Sequence, residues 1–126
     1  MKEQEAALAE AETRALKRRP NIRAMTEADL QTMVIDLARL LRWRVVHIRN
    51  VPVAGQSGHV RYRVPYEGDP GLPDLIMARD GRVIMAELKS ETGKLTAEQH
   101  AWLDAAGNSG YLWRPSHWPE IFQELA

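Results

Sequence analysis

Two carboxylates and a lysine have the types and the spacing that could perform chemistry: Asp74, Glu87 and Lys89. The residues between the acids read as a strand, the turn Asp80-Gly81 and a second strand, because Asp-Gly between two apolar runs is a strong signal for a tight β-hairpin. A two-residue turn at that position places Asp74 directly opposite Glu87. Lys89 follows Glu87 by two residues, so its side chain should project from the same face of the sheet.

Opposed acids in a hairpin need a positive charge close to them. Directly opposed side chains have Cβ atoms about 5 Å apart, and like charges at that separation destabilise the sheet. A divalent cation with oxygen ligands, Mg²⁺ or Mn²⁺, would neutralise Asp74 and Glu87. Solvated acids at two strand ends are the simpler alternative, and the spacing alone leaves both interpretations open.

Helices are expected on both sides of the hairpin. Thr26 with Asp29, and Thr96 with Gln99, have the spacing of capping boxes, which predicts a helix start at each threonine. The first of these helices would run to about residue 42, and Gly107 would end the second. The other predicted elements are a helix over 1–19, a strand over 43–49, a loop over 50–58, a strand or extended flap over 59–64, a strand over 111–113 and a helix over 119–125.

The composition is typical of a single soluble globular domain. The chain has 126 residues, of which 44% are hydrophobic and 27% charged. No apolar run approaches the roughly 20 residues of a membrane span, and the N-terminus has no apolar signal segment. The absence of cysteine excludes disulfides and cysteine zinc sites. Nucleotide-binding glycine loops and a serine nucleophile elbow are also absent from the sequence, which removes most competing enzyme classes.

The formal net charge is zero, but the charges are unevenly distributed. Between Leu37 and Tyr66 the chain carries six arginines and no acid. Arginine suits bidentate contacts to phosphate, so this run predicts a nucleic-acid-binding surface, with a solvated charged face as the alternative. The residues that we expect to contact nucleic acid are Arg42, Arg44, Arg49, Arg61, Arg63 and Lys94.

Four motifs in order resemble the PD-(D/E)xK nucleases, and in particular the small VRR-type nuclease domain (VRR-NUC) of phages and DNA-repair enzymes. They are a helix beginning Thr26-Glu27-Ala28-Asp29-Leu30-Gln31, the stretch Gly71-Leu72-Pro73-Asp74-Leu75, the strand end Glu87-Leu88-Lys89, and Gly93-Lys94-Leu95-Thr96-Ala97-Glu98-Gln99 at a helix start. The resemblance covers roughly residues 25–115. It implies an α/β fold with a restriction-endonuclease-like core, which is a mixed four-stranded sheet flanked by helices in the order α-β-β-β-α-β-α. Residues 21–126 would form this domain, and residues 1–20 a helical extension.

The resemblance also implies roles for the residues of the hairpin. Asp74 and Glu87, together with the carbonyl of Leu88, would hold Mg²⁺ or Mn²⁺. Lys89 would orient or deprotonate the attacking water and offset charge in the transition state. These roles describe metal-dependent hydrolysis of a phosphodiester bond.

Two helical residues complete the implied site. Glu27 would supply a second metal position or fix the other ligands through water. Without the resemblance, an acid in the first turn that complements the helix dipole is the ordinary interpretation of Glu27, and Asp29 lies equally near. Gln99 would support the site, although its position also fits a capping residue.

The function implied is a metal-dependent, structure-selective DNA endonuclease similar to Holliday-junction resolvases. Branched DNA is the expected partner, and a homodimer is expected because two symmetric cuts match a two-fold axis. The expected location is the cytoplasm of a bacterial or phage-infected cell. The alternatives are a flap or nicking endonuclease, and a nucleic-acid-binding module without turnover. A structural calcium site in an interaction domain is a further alternative, against which Lys89 argues.

Overall fold

The computed structural model describes residues 2–17, 24–48, 51–54, 60–63 and 66–126, and for 11–17, 51–54 and 60–63 it describes the backbone alone. These residues form a mixed α/β structure. Its elements are α1 (Lys2–Lys17), α2 (Glu27–Leu40), β1 (Arg44–His47), β2 (Val51–Ala54), β3 (Val60–Arg63), β4 (Leu75–Arg79), β5 (Arg82–Leu88), α3 (Ala97–Ala106), β6 (Gly110–Trp113) and α4 (Trp118–Leu125). Among the described residues no helix is both long and apolar enough to cross a membrane.

Four of the strands form one mixed sheet in the order β1-β4-β5-β6. The strand β4 is antiparallel to both of its neighbours, β1 and β5, and β6 lies parallel to β5. A parallel neighbour needs a crossover connection, which α3 supplies. The predicted mixed four-stranded sheet is therefore confirmed, whereas the predicted order of elements has three strands between α2 and α3, where the structure has five. Both β2 and β3 lie outside the four-stranded sheet.

The hairpin has the predicted register. Arg79 pairs with Arg82, and the ladder continues to Leu75 opposite Ala86. Asp80 and Gly81 have φ values of 51° and 80°, which is the pair of positive angles that a type I′ turn requires. The same register, carried one residue beyond the ladder, sets position 74 against position 87.

The two faces of the sheet differ in what covers them. One face packs against α2 and α4, and this core contains Leu30, Val34, Leu37, Leu75, Met77, Ile84, Ala86, Leu88, Trp113, Ile121 and Leu125. The residues that alternate with these core residues along each strand point to the other face of the sheet, and Glu87 is one of them. The helix α3 packs on this second face along β5 and β6. Val46 and Val83, on the part of the second face beyond α3, are 55% and 46% exposed.

The start of both central helices is as predicted. Thr26 Oγ1 accepts from the Asp29 amide at 3.1 Å, and the Asp29 carboxylate accepts in return from the Thr26 amide at 3.0 Å. Thr96 and Gln99 form the same reciprocal pair at the start of α3. The helix α2 ends at Leu40, slightly before the predicted boundary, and Gly107 ends α3 with a φ of 57°.

The prediction of a loop over 50–58 was wrong for Val51–Ala54. These residues form β2, which pairs antiparallel with β3 in a separate two-stranded ribbon. Pro52 suggested a loop because proline lacks the amide donor of a strand residue. In a ribbon of two strands both strands are edges, where proline is tolerated, and the valines on either side of Pro52 favour a strand.

Arg79 joins the C-terminal ends of two helices on the core side, at the hairpin-turn end of the sheet. Its Nη1 donates to the carbonyl of Leu41 at 3.0 Å and to that of Leu125 at 2.9 Å, and its Nη2 donates to the Ala126 carbonyl at 3.2 Å. The guanidinium also lies 4.6 Å from the centroid of the Trp43 ring. Carbonyls at helix ends have no partner within the helix, so Arg79 satisfies groups that would otherwise need water.

We expect Arg79→Met to lower the free energy of unfolding by about 2–3 kcal/mol, because charged hydrogen bonds and a cation–π contact are lost together. Urea denaturation followed by far-UV circular dichroism measures the loss. The control is Arg39→Met, which removes the same charge from an exposed position of α2 and should shift stability by less than about 0.5 kcal/mol. Equal losses in the two variants would contradict this account of Arg79.

Candidate active site

Asp74 lies at the end of the sheet opposite the hairpin turn and is bonded to both neighbouring strands. Its Oδ2 accepts a hydrogen bond from the Leu88 amide at 2.8 Å, and its main-chain carbonyl accepts from the Ile48 amide at 2.8 Å. The predicted opposition of Asp74 and Glu87 is thus held by a bond from the acid of one strand to the backbone of the other. The second oxygen of the Asp74 carboxylate is left for another contact.

Glu87 is the buried charged residue of this site, with 2% of its surface exposed. Its Oε1 accepts from Gln99 Nε2 at 3.1 Å and lies 3.7 Å from Lys89 Nζ. Its Oε2 is buried and has no hydrogen-bond partner among the residues that the structure describes. A buried carboxylate oxygen without a partner is costly, so this atom marks a place where a cation or a proton is favoured.

The pKa of Glu87 is raised to about 8. Burial is the main cause, since it penalises the charged carboxylate. The negative charge of Asp74 raises the pKa further, as does the hydrogen bond to Asp74 that only the protonated carboxyl of Glu87 can donate, and the charge of Glu27 adds to the effect. Lys89 acts in the opposite direction because its ammonium favours the ionised form. The cluster therefore carries more negative charge than its one lysine offsets.

Lys89 follows β5 and is held by the neighbouring strand. Its amide donates to the Trp113 carbonyl at 3.1 Å, which continues the parallel ladder of β5 and β6 by one residue. Its side chain is only 12% exposed. Lysine is rarely buried without a partner, and here the partner is Glu87. The ammonium group is therefore fixed beside the carboxylate rather than extended into solvent.

Gln99 uses both ends of its amide. Its Oε1 accepts from the Thr96 amide at 2.9 Å as part of the capping box, and its Nε2 donates to Glu87. The sequence left open whether Gln99 caps α3 or supports the site, and the structure places the side chain in both positions at once. Since the cap fixes one end of the amide, the other end is aimed at the carboxylate.

Gly71 sets the distance between the loop before Asp74 and the first turn of α3. Its φ is +89°, and a Cβ at this position would lie 2.6 Å from the main-chain carbon of Glu98 and 2.7 Å from the Gln99 nitrogen. Only glycine allows two backbones to approach this closely. Trp102 of α3 also donates to the Asp69 carbonyl of the same loop at 3.3 Å. From the sequence, Gly71 was placed only in the motif that precedes Asp74, and this packing role was missed.

Of the two acids in the first turn of α2, Glu27 is the one related to the site. The Asp29 carboxylate is occupied by the cap, where it accepts from Thr26. Glu27 is exposed, and its charge contributes to the raised pKa of Glu87. The helix α2 therefore directs one acid to its own cap and leaves the other within electrostatic range of Glu87. Among the described residues Glu27 does not join Asp74 and Glu87 in a group close enough to hold a metal ion.

The predicted nucleic-acid contacts do not all lie near the acids. Arg44 pairs with Ala78 close to the hairpin turn, at the far end of the sheet. Arg42 follows α2 at the same end, where its Nη2 lies 3.8 Å from Glu3 Oε2 of α1. Lys94 is exposed in the segment before α3.

The remaining predicted contacts are described incompletely. Arg49 lies outside the described residues. Arg61 and Arg63 are on β3, where only the backbone is described, and they pair with Val53 and Val51 respectively.

The donor atoms at the acidic pair fit a hard divalent cation. Among the described residues there is no group of three or more His, Cys, Asp and Glu side chains that could hold a metal ion. A Mg²⁺ site does not need such a group, because this ion keeps several waters and is commonly bound by one or two carboxylates. The unpartnered Oε2 of Glu87 and the neighbouring Asp74 are a set of that size.

No protein-family model, curated protein or solved structure matches the chain. The geometry and the charge of the site, together with the sequence motifs, therefore remain as the indications of function.

We expect Glu87→Gln to stabilise the protein at high pH in the presence of EDTA. Because the folded pKa of about 8 lies above the ordinary value of 4.5, the folded state favours the protonated carboxyl. This contribution to stability is complete below pH 4.5 and is lost as the pH rises through 8. Glutamine keeps the neutral shape at every pH, so the variant should gain on the order of 2 kcal/mol at pH 9 and little at pH 5.

Urea denaturation at pH 5 and pH 9 measures this difference. The matched control is Glu67→Gln at an exposed position, for which the two pH values should give the same small change. A Glu87→Gln variant that is less stable than the unmodified protein at pH 9 would show that the carboxylate is neutralised within the fold.

Proposed function

We propose that this protein is a metal-dependent, structure-selective DNA endonuclease of the kind that its motifs resemble, with Holliday-junction-like DNA as its preferred substrate. One observation carries the proposal. Glu87 is buried with a free Oε2, opposite Asp74 and 3.7 Å from the Lys89 ammonium. A buried carboxylate beside a half-buried one, with a lysine next to them, is unfavourable for stability and favourable for handling a cation and a phosphate together.

Asp74 and Glu87 would hold Mg²⁺ or Mn²⁺ with the main-chain carbonyl of Leu88, and Glu27 is the acid available for a further position. When bound, such an ion stabilises negative charge on a phosphate oxygen and makes a nearby water molecule more acidic. The Asp74 carboxylate is oriented for this role by the Leu88 amide.

Lys89 and Gln99 would have different roles, since Lys89 would act on the water and the phosphate and Gln99 would orient Glu87. Lys89 would orient the attacking water and offset the charge that develops at phosphorus, since its ammonium is already fixed next to Glu87. Gln99 would bind Oε1 of Glu87, so that Oε2 faces the cation. The hydrolysis forms one P–O bond to the water oxygen and breaks one P–O ester bond.

The acidic pair distinguishes this proposal from a binding module or a structural calcium site. A module that only binds DNA gains nothing from two opposed acids, which repel the phosphate backbone. A structural Ca²⁺ site takes six to eight oxygen ligands, and an ammonium beside a ligand oxygen opposes it. In a hydrolytic site, by contrast, the Lys89 ammonium can offset negative charge that develops during the reaction.

Branched DNA and a homodimer are proposed from the resemblance of the motifs and from symmetry. The described residues hold one mixed sheet with helices on both faces, which is compatible with a restriction-endonuclease-like core. A domain this small leaves little surface for reading a base sequence, so the shape of the DNA is the more available signal. Two symmetric cuts in a four-way junction require two sites related by a two-fold axis.

The test is cleavage of end-labelled four-way junction, flap, nicked and linear DNA by the purified protein, with Mg²⁺, with Mn²⁺ and with EDTA. We expect paired symmetric nicks in the junction that disappear in EDTA and in Glu87→Gln. Preferred cutting of a flap would identify the related flap endonuclease. Binding without any cut in either metal would contradict the nuclease proposal in favour of a binding module.

We expect Lys89→Met to reduce kcat by roughly 10²–10³-fold, which is the usual loss when a group that stabilises transition-state charge is removed. Mn²⁺ binding should be largely intact, because Lys89 is not a proposed metal ligand and its ammonium would repel a cation at Glu87. Single-turnover cleavage and titration calorimetry measure the two effects. The control is Lys94→Met, an exposed neighbour for which KM should rise with kcat unchanged. Near-normal turnover in Lys89→Met would remove this lysine from the mechanism.

A further inference from the structure

Arg114 binds the turn that follows Lys89. Its Nη1 donates to the main-chain carbonyls of Ser90 at 2.8 Å and Gly93 at 2.6 Å, and the Glu91 carbonyl lies at 3.4 Å. Three carbonyls of one turn thus converge on a single guanidinium nitrogen. Arg114 comes directly after β6, so this contact ties the turn to the next strand of the sheet.

Glu91, which belongs to the same turn, makes a second contact with the segment that follows Arg114. Glu91 Oε2 accepts from the Ser116 amide at 3.1 Å, and the hydrogen bonds with Ser116 lower the pKa of Glu91. The Arg114 amide donates to His117 Nδ1 at 3.0 Å, which closes the short helical turn that presents Ser116. The two segments, 90–93 and 114–117, are therefore bonded reciprocally. We call this contact the Arg114 strap.

Along the chain, the turn held by the Arg114 strap lies between Lys89 and Gln99, the two residues whose side chains approach Glu87 Oε1. On one side the turn begins immediately after Lys89, and a Cβ at Gly93 would lie 3.5 Å from Lys89 Cδ, so the turn packs on the stem of the lysine. On the other side the chain leads within a few residues to Thr96, which caps α3 and fixes Gln99. A shift of the turn would move both the ammonium and the amide.

We propose that Arg114 is a positioning residue of the nuclease, which holds Lys89 and Gln99 at Glu87 through the turn between them. Its role in the reaction rests on the proposed function. Arg114 does not itself contact the acids, and its Nη1 is used by the turn. A small displacement of groups that stabilise charge in a transition state lowers turnover more than it lowers binding.

The variant that tests this is Arg114→Met, with Arg82→Met as its matched control. Arg82 likewise donates to a main-chain carbonyl, that of Glu124 at 3.0 Å, and to the Tyr111 hydroxyl at 2.8 Å. It lies at the hairpin turn, the end of the sheet away from the acids. Both substitutions remove one charge and several hydrogen bonds, but only one removes them next to Lys89.

In the cleavage assay, at concentrations corrected for the folded fraction, we expect Arg114→Met to lower kcat about 10–100-fold with KM changed less than about twofold. Arg82→Met should lower the urea midpoint and leave kcat unchanged. If Arg114→Met raises KM with kcat unchanged, Arg114 is a phosphate contact and the inference is overturned. Equal kcat losses in the two variants would overturn it as well.

A second measurement does not depend on activity. The Gly93 amide donates to Ser90, and the Gln99 side-chain amide donates to Glu87, so both give NMR signals that report on the strap. In Arg114→Met we expect Gly93 hydrogen exchange to accelerate at least about tenfold and the Gln99 side-chain resonances to move, with both unchanged in Arg82→Met. Unchanged Gly93 and Gln99 signals in Arg114→Met would overturn the positioning role.

The two measurements separate failure of this inference from failure of the proposed function. If the unmodified protein cuts no DNA, the nuclease proposal fails, while the NMR signals still decide whether Arg114 holds Lys89 and Gln99 in place. Should Arg114→Met not fold, Glu91→Ala removes the acceptor of the Ser116 amide, which loosens the same strap from the other side and keeps the arginine. This variant is expected to show the same pattern with a smaller loss of kcat, and a normal kcat with normal Gly93 exchange would overturn the proposal.

Discussion

The turn at Asp80-Gly81 determines which residues of β4 and β5 stand opposite each other, and the candidate site depends on that choice. Both turn residues have positive φ, which glycine adopts freely and aspartate tolerates. The burial of Ile84 enforces the same register from the core side, since a slip by one residue would exchange the two faces of the strand. Such a slip would place the Glu87 carboxylate in the apolar core, so turn and core both protect the pairing.

The two ends of the sheet differ in their interactions. The end with the acids is electrostatically unfavourable, and the end with the hairpin turn is stabilised by hydrogen bonds and a cation–π contact. At one end Glu87 is buried beside Asp74 with incomplete compensation from Lys89. At the other end Arg79 satisfies helix C-termini and stacks on Trp43. Stability gained away from the acids can offset the cost of holding them together, which is the general relation between a strained site and the rest of a protein.

Much of the site could be predicted from the sequence because its signals are local. The hairpin turn set the pairing of Asp74 and Glu87, and the spacing of Thr96 and Gln99 set a helix start. What could not be predicted depends on distant backbone atoms. Arg114 binds main-chain carbonyls, which every residue has, so no pattern of side chains marks its partners. The close approach of Gly71 to α3 has the same signature as any glycine in a turn, and the strand over 51–54 was hidden by its proline.

The contacts of the site and those of the opposite end differ greatly in separation along the chain. The bond between Leu88 and Asp74 spans 14 residues and that between Gln99 and Glu87 spans 12. By contrast, Arg79 reaches Leu125 across 46 residues, and Trp43 reaches the same carbonyl across 82. The entropy lost on closing a loop grows with its length, and contacts of short range form early in folding. The acidic pair and Gln99 are thus joined by contacts that close short loops, whereas the contacts that dock the terminal helix close loops several times longer.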